Sequence, residues 1–290
     1  MERFNAANKA SILGILGNIL LLVLKASIGF ISNSQAMIAD AFNSFGDVLS
    51  SLLTFIGNKI SSKKADDDHH LGHGKAEYIY AFLISIIMLV TSAMVIKGAI
   101  VTYLNHTKID FSIYLIIICI ITIVVKFGLY LYTREVGKKH HNILVEANSK
   151  DHRNDCFITM MTFISSILGI YIVDIIIGII ISLWIAYTAI KIFKESYDVL
   201  MDKAMDDITE EKVLEIVKKH DEVLKIQHFN STPVGYKYQI SFTIFVDGKL
   251  STFESHEIAD SLEKEINKKI PEIYLSVIHV NPMNVKQKDK

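Results

Sequence analysis

The chain has 290 residues, of which 51% are hydrophobic and 21% are charged, and its mean hydropathy is +0.35. This composition is more apolar than that of an ordinary soluble domain and favours a membrane protein. A net charge of −1 excludes the basic surface of a nucleic-acid-binding protein. The two cysteines, Cys119 and Cys156, are too few for a disulfide framework or a thiolate metal site.

The apolar residues before position 200 gather into blocks of about 20 residues, the length of a helix that crosses a bilayer. Six spans are predicted, over 11–31, 35–58, 78–101, 111–133, 144–171 and 173–192. The N-terminus lacks the small-residue cleavage pattern of a signal peptide, so the first block is expected to remain in the membrane. The predicted fold is an α-helical membrane protein with a six-helix transmembrane bundle.

Basic side chains concentrate in the loops after the second and fourth blocks and after the sixth. They are Lys59, Lys63, Lys64, Lys75, Arg134, Lys138, Lys139, Lys191 and Lys194. The opposite loops carry almost none, so the positive-inside rule predicts that both termini lie in the cytoplasm. The Ile- and Lys-rich usage, with only three prolines, suggests a bacterial protein of the cell (inner or plasma) membrane.

The composition after about residue 203 is that of a soluble domain. We therefore divide the chain into a transmembrane domain, 1–202, and a cytoplasmic domain, 203–290. Hydrophobic periodicity and turn residues predict a small α+β domain of order αββαβ. Its elements are expected at 209–220, 222–229, 236–246, 255–270 and 273–282.

Two of the apolar blocks contain pairs of polar residues at helical spacing. Asn43 and Asp47 are four residues apart in the second block, and Asp151 and Asp155 are four apart in the fifth, so each pair lies on one face of its helix. A carboxylate within the hydrocarbon costs several kcal/mol unless it is paired, hydrated or bound to a cation. The plainer interpretations are a polar contact between helices and the wet start of a helix.

Together the four side chains can close a four-coordinate site between two helices. All four offer oxygen, which suits Mg²⁺, Ca²⁺ or Mn²⁺, whereas zinc and copper prefer nitrogen or sulfur. Carboxylates also bind protons, so a metal and protons compete for the same atoms. This chemistry suits the exchange of a divalent cation for protons.

Five stretches of the sequence resemble the cation diffusion facilitator family of metal/proton antiporters. They are SQAMIADAFNSFGDVLSS, DDDHHLGHGKAE, ANSKDHRND, HEIADSLEKEI and VIHVNP. The resemblance covers essentially the whole chain and implies a transport site formed by Asn43, Asp47, Asp151 and Asp155. Zinc-transporting members typically have a His in one or both pairs, so this oxygen-only set is similar to the manganese-exporting branch. The resemblance also implies alternating access, a homodimer in the lipid bilayer, a metallochaperone-like cytoplasmic domain and no organic cofactor.

The same resemblance implies two further metal sites. A loop site consists of Asp66, His69 and His73. In this loop His69 and His73 can chelate a metal if the segment is helical. A site at the dimer interface of the cytoplasmic domain consists of His228, His256 and His279. Thr243 and Asn281 stand where the family often has further ligands, so fewer strong ligands are expected there.

Four further charged residues are expected to form a salt bridge or to reach the membrane surface rather than to bind metal. Lys75 and Asp202 resemble a salt bridge of the family that joins the third span to the start of the tail. Lys25 and Lys126 lie inside predicted spans, and we interpret both as side chains that snorkel to the membrane surface.

Several other functions stay open. The segment HHLGH is also an HHxxH box of the kind found in membrane di-iron enzymes, but those enzymes need several such boxes and the other membrane-region histidines form none. The same carrier can move Zn²⁺, Fe²⁺, Co²⁺ or Cd²⁺ in place of Mn²⁺. The further alternatives are a metal channel indifferent to the proton gradient, a membrane metalloenzyme and a metal sensor without flux.

Overall fold

The computed structural model describes residues 2–31, 35–105, 113–168 and 171–284. Six long helices come first in the chain: α1 (Glu2–Ile31), α2 (Gln35–Ser61), α3 (Ala76–Asn105), α4 (Ile113–Lys139), α5 (Ile143–Leu168) and α6 (Tyr171–Leu200). A mixed set of elements follows: α7 (Asp207–Lys218), β1 (Lys225–Val234), β2 (Lys237–Asp247), α8 (Thr252–Lys269) and β3 (Ile273–Met283). Each predicted span is helical over its described residues, and most of these helices extend a few residues into the charged loops.

The chain forms two compact units. The first comprises Met1–Lys64 and Ala76–Tyr197, and the second comprises Ala65–Lys75 and Asp198–Lys290. The loop that carries the predicted Asp/His site therefore belongs to the same unit as the C-terminal elements, although it lies between α2 and α3 in the sequence.

Three of the helices meet the length and composition of a membrane span among the described residues. They are Glu2–Ile28, Ala76–Val101 and Ile116–Lys139. Helices α2 and α5 are less apolar because each carries several polar and charged residues within its length. The first unit is thus a helical transmembrane domain, and the count of six spans stays a prediction.

Small side chains bring α3, α5 and α6 into close contact in the first unit. Ala81, Ala147 and Ala189 are fully buried in a cluster that also contains Met88 and Ile185. Small residues at helix interfaces allow close backbone approach, which stabilises helix pairs in lipid. Large apolar side chains point outward, as expected for surfaces that face lipid; Val124 on α4, for example, is 66% exposed.

A buried ion pair holds one end of the helical unit together. Arg3 on α1 donates from both terminal nitrogens to the two carboxylate oxygens of Glu77 on α3, at 2.5 and 2.7 Å. Its Nε and one terminal nitrogen also donate to the carbonyl oxygens of His140 and His141, in the turn between α4 and α5. The Glu77 side chain is 2% exposed, so its charge depends on Arg3 for compensation.

We expect Arg3→Met to destabilise the helical unit by about 3–5 kcal/mol, the usual effect of removing one partner of a buried pair. Thermal unfolding of the purified protein in detergent measures the loss. Lys9→Met is the matched control, since Lys9 is exposed on the same helix. The double variant Arg3→Met with Glu77→Gln should recover part of the stability because it leaves no unpaired carboxylate. An Arg3→Met protein that melts like the control would contradict this role.

The second unit contains a three-stranded sheet of order β1-β2-β3. Strand β2 pairs antiparallel with β1 and parallel with β3, and α8 forms the crossover that a parallel pair requires. The apolar core lies between the sheet and its helices. It includes Val213, Ile216, Val217, Ile240, Phe242, Ile244, Leu262 and Ile266. The order αββαβ is the predicted one.

Strand β1 begins later and ends later than the sequence pattern indicates. The register between β1 and β2 shifts between Gln227 and Asn230, and His228 in this bulge has a φ of 55°. A bulge lets the strand continue past a local interruption. Pro233 lies in the same strand, which is tolerated because β1 is an edge strand.

Candidate metal centre

Three of the four predicted transport ligands come together between α2 and α5. Asp47, Asp151 and Asp155 each offer a carboxylate oxygen, and these oxygens lie within 4.8 Å of one another. All three residues are buried, with exposures of 9%, 6% and 7%. Spacing of four residues on α5 places Asp151 and Asp155 one turn apart on the same face, directed at α2.

Asn43 is the fourth predicted ligand. Its backbone lies in α2, one turn before Asp47. The side chain of Asn43 lies outside the described part of the structure, so its place in the cluster stays a prediction.

Lys126 on α4 is part of the same cluster, and our interpretation of it as a snorkelling side chain is wrong. Its Nζ donates to Asp47 Oδ2 at 2.7 Å and to Asp155 Oδ2 at 2.6 Å. The side chain is 1% exposed, so it does not reach the surface of the unit. Lys25 on α1 is likewise buried, at 3% exposure, and does not snorkel. The signal that sequence reasoning underweighted was a lysine in the middle of an apolar run.

Polar side chains from α1 and α2 continue from the carboxylates along the interior. Asn18 donates from Nδ2 to the backbone oxygen of Asp47 at 3.0 Å and to Ser51 Oγ at 2.9 Å. Further along α2, Asn58 donates to Ser11 Oγ at 3.2 Å and accepts from Asn142 Nδ2 at 2.8 Å. These contacts fix the α2 backbone next to Asp47, and they were not predicted.

His152 and Asn148 on α5 lie close to this polar strip. Both are fully buried, and within the described ranges neither side chain has a hydrogen-bond partner. A Cβ on residue 14 of α1 would lie 3.1 Å from Ser51 Oγ and 3.5 Å from both Asn148 Nδ2 and His152 Nε2. Glycine at position 14 therefore leaves α1 room to pack against these polar groups.

The predicted loop site is also assembled, although not by a helix. Asp66, His69 and His73 offer ligand atoms within 4.8 Å of one another, but residues 63–75 contain no helix. A turn at Gly72, with a φ of 79°, brings the two rings to a centroid distance of 4.4 Å. The backbone N–H of His69 donates to Asp66 Oδ1 at 2.8 Å and holds the pKa of that carboxyl below its ordinary value.

Two close contacts hold this loop within the second unit. Gly74 approaches Gly235, in the turn between β1 and β2, so closely that a Cβ on either residue would lie 3.0 Å from the Cα of the other. Gly235 also has a φ of 65°, which disfavours any other residue there. Lys75 Nζ lies 2.5 Å from Asp202 Oδ1, which forms the predicted salt bridge. Both side chains of this salt bridge are substantially exposed, so the pair by itself contributes little to stability.

The three histidines of the C-terminal elements do not form a cluster within one chain. His228 is in the bulge of β1, His256 is on α8 and His279 is on β3, and all three are exposed. The described part of the chain contains no group of three ligand atoms that includes any of them. Thr243, which replaces a frequent ligand, pairs with His279 across the sheet and is 6% exposed.

The carboxylate cluster has the donor chemistry that a hard cation prefers. It offers three oxygens and no nitrogen or sulfur among the described ligand groups, which is the donor set that Mg²⁺, Ca²⁺ and Mn²⁺ prefer. The loop cluster differs, since it adds two imidazoles to one carboxylate and so suits zinc, iron and similar metals.

Comparison with known proteins gives two family matches and many relatives. Residues 11–201 match the cation efflux transmembrane domain, and residues 205–283 match the cytoplasmic domain of cation efflux proteins, a dimerisation domain. The manganese efflux system proteins MneP and MneS of Bacillus subtilis (strain 168) are each 27% identical, over 97% and 99% of this chain and 98% and 100% of their own lengths. The cation-efflux pump FieF of Shewanella oneidensis is 25% identical over 91% of this chain and 90% of its own length.

The family's members are membrane transporters and not enzymes, and the match to the cytoplasmic domain indicates a dimer. The transmembrane match alone covers well over half of the sequence, and it contains both helices that carry the buried carboxylates. The chain therefore belongs to the cation efflux, or cation diffusion facilitator, family of membrane metal transporters.

Proposed function

We propose that this protein exports Mn²⁺ from the cytoplasm in exchange for protons, through a site formed by Asn43, Asp47, Asp151 and Asp155. The observation that supports the proposal is the group of three buried carboxylates within 4.8 Å, with no nitrogen or sulfur ligand in the group. Buried carboxylates at this spacing repel one another strongly unless a cation or protons neutralise them. A divalent metal and protons are therefore alternative occupants of the same oxygens.

The transport cycle follows from this competition. The inward-facing site takes the metal from the cytoplasm, and rocking of the bundle exposes the site to the outside. Protons from outside then neutralise the carboxylates and release the metal, and the protonated site returns inward. In this arrangement six helices cross the cell membrane of a bacterium, both termini lie in the cytoplasm, and the membrane domain ends near residue 202.

The relatives support manganese without excluding other metals. Two of them are named manganese efflux proteins, but each is only 27% identical to this chain, and FieF is named a cation-efflux pump. Export of Zn²⁺, Fe²⁺, Co²⁺ or Cd²⁺ by the same site is the nearest alternative. Ligand chemistry favours Mn²⁺ over zinc, since zinc prefers imidazole and thiolate.

The two histidine-containing sites have a regulatory role in this proposal. Metal at Asp66, His69 and His73 stabilises the loop within the second unit, and metal at His228, His256 and His279 bridges the two protomers of the dimer. Both favour the inward-facing state when cytoplasmic metal is abundant. The exposure of the C-terminal histidines is consistent with ligands that need a second protomer.

Metal flux in proteoliposomes tests the proposal. Purified protein is reconstituted, and uptake of Mn²⁺ and of Zn²⁺ is measured with and without a pH gradient. We expect Mn²⁺ uptake that the gradient drives and that exceeds Zn²⁺ uptake at equal concentration. Preferential Zn²⁺ transport would contradict the metal assignment, and flux that ignores the gradient would contradict proton exchange and favour a channel.

A further inference from the structure

We propose that Lys126 is a permanent counter-cation of the transport site. Its positive charge weakens the binding of the transported metal by the carboxylates and so permits release of the metal. The inference rests on the proposed function, since it concerns the same three carboxylates. The observation that carries it is the position of Nζ, which bridges Asp47 and Asp155 at 2.7 and 2.6 Å.

The ammonium lies where a metal would make its contacts. Asp47 is on α2 and Asp155 is on α5, and Lys126 reaches between them from α4. A cation that ligates both carboxylates must share or take the oxygens that Nζ now holds. The ammonium is also confined, since its side chain is 1% exposed.

The charge of the group fits a divalent ion. The three carboxylates and Lys126 together carry an excess of two negative charges when all are ionised, which one divalent cation neutralises; Lys25, buried on α1, adds positive charge that acts on Asp155 and stands outside this count. Without the lysine, a bound divalent ion would leave one uncompensated negative charge in the bundle, and charge buried in this way is costly. Lys126 thus matches the site to divalent ions and keeps their binding from becoming too tight for turnover.

A purely structural role makes a different prediction. If Lys126 only held α4 against α2 and α5, its loss would loosen the site and weaken metal binding. As a counter-cation it repels the metal, so its loss strengthens binding. The repulsion is proportional to the charge of the ion, so a trivalent ion gains more from its removal than a divalent ion.

The experiment compares metal binding by the purified full-length protein and its variants in detergent. Lys126→Gln removes the charge and keeps a hydrogen-bonding amide, Lys126→Met removes both, and Lys126→Arg keeps the charge. Lys138→Gln is the matched control on the same helix, because Lys138 is exposed. The dissociation constants for Mn²⁺ and La³⁺ are measured by calorimetry, and thermal unfolding shows that each variant is folded.

We expect Lys126→Gln and Lys126→Met to bind Mn²⁺ at least about tenfold more tightly than the wild type, a change of about 1.4 kcal/mol. The increase in their affinity for La³⁺ should be larger still. Lys126→Arg and Lys138→Gln should bind like the wild type. In proteoliposomes the Gln variant should have a lower KM and a lower kcat, since it releases metal slowly. A folded Gln or Met variant that binds Mn²⁺ no more tightly than the wild type overturns the inference.

A second variant separates this inference from the proposed function. Asp151 belongs to the carboxylate group but forms no ion pair among the described residues, so Asp151→Asn tests the site while both carboxylate partners of Lys126 stay in place. If Asp151→Asn loses Mn²⁺ binding while Lys126→Gln leaves it unchanged, only the role of Lys126 is wrong. If Asp151→Asn binds Mn²⁺ like the wild type, the transport site is misassigned and the inference fails with it.

Discussion

Replacing Asp47 or Asp155 by alanine is expected to abolish metal export, with a fall of at least about 100-fold in initial rate. Substitution of residues that only support metal ligands already lowers metal affinity by about 10–100-fold, and these two carboxylates are predicted to be ligands themselves. The variants should still reach the membrane, because the apolar faces of α2 and α5 are unchanged. Export from cells loaded with Mn²⁺, normalised to the amount of protein in the membrane fraction, measures the effect.

Lys126 affects how these variants are interpreted. Removing either aspartate takes away one of its two carboxylate partners and leaves a buried ammonium less compensated, which can destabilise the fold. Asp151→Ala leaves both ion pairs of Lys126 in place and should abolish export as well. Glu135→Ala is the control, since Glu135 is an exposed acid on α4 outside the carboxylate group. Retained export in Asp47→Ala or Asp155→Ala at normal membrane levels would show that the site assignment is wrong.

The pairing of α2 with α5 was predictable because the chemistry of their residues is unusual for their position. A helix periodicity fixes which residues share a face, so Asp151 and Asp155 must point the same way. Carboxylates within an apolar block need a partner, and another apolar block contains a second polar pair at the same spacing, Asn43 and Asp47. The resemblance to a transporter family then selected the two helices that face each other.

The contribution of Lys126 could not be derived in the same way. Periodicity within α4 shows which residues lie beside Lys126 on its own helix, but not which other helix that face meets. We expected Lys126 to reach the membrane surface from within its span, because the four methylene groups of lysine give it a long reach. Only the packing of α4 against α5 turns this side chain inward, and that packing depends on many contacts far apart in the sequence.

The histidine loop illustrates a partial success. The residues Asp66, His69 and His73 meet as predicted, but the chelating pair of histidines was expected only if the segment were helical, and the structure has a turn. The turn depends on the positive φ of Gly72 and on the close contact between Gly74 and Gly235. The glycine at position 72 is a local signal that can be recognised in the sequence. The contact between Gly74 and Gly235 joins residues that are far apart in the chain, so the sequence pattern does not reveal it.

Changing Asn43 and Asp151 together to histidine is expected to shift transport from Mn²⁺ towards Zn²⁺. Asp151 lies in the carboxylate group, and Asn43 is predicted to complete it one turn before Asp47. The double variant has two imidazoles and two carboxylates, and zinc favours such nitrogen-containing tetrahedral sites. Mn²⁺ loses two oxygen ligands, one of them charged, so its binding weakens while that of zinc improves.

Competition in proteoliposomes measures this change, with both metals present and the ratio of their initial rates compared between the wild type and the double variant. We expect the Zn²⁺/Mn²⁺ rate ratio to rise at least about tenfold, which corresponds to about 1.4 kcal/mol of relative transition-state stabilisation.

The single variants Asn43→His and Asp151→His should give intermediate ratios if each supplies one ligand. Asn5→His is the control, because Asn5 is an exposed asparagine on α1 outside the carboxylate group. An unchanged ratio in a double variant that still transports Mn²⁺ would mean that ligand type does not set the selectivity. In that case the geometry imposed by α2, α4 and α5, including the charge of Lys126, would be the next feature to test.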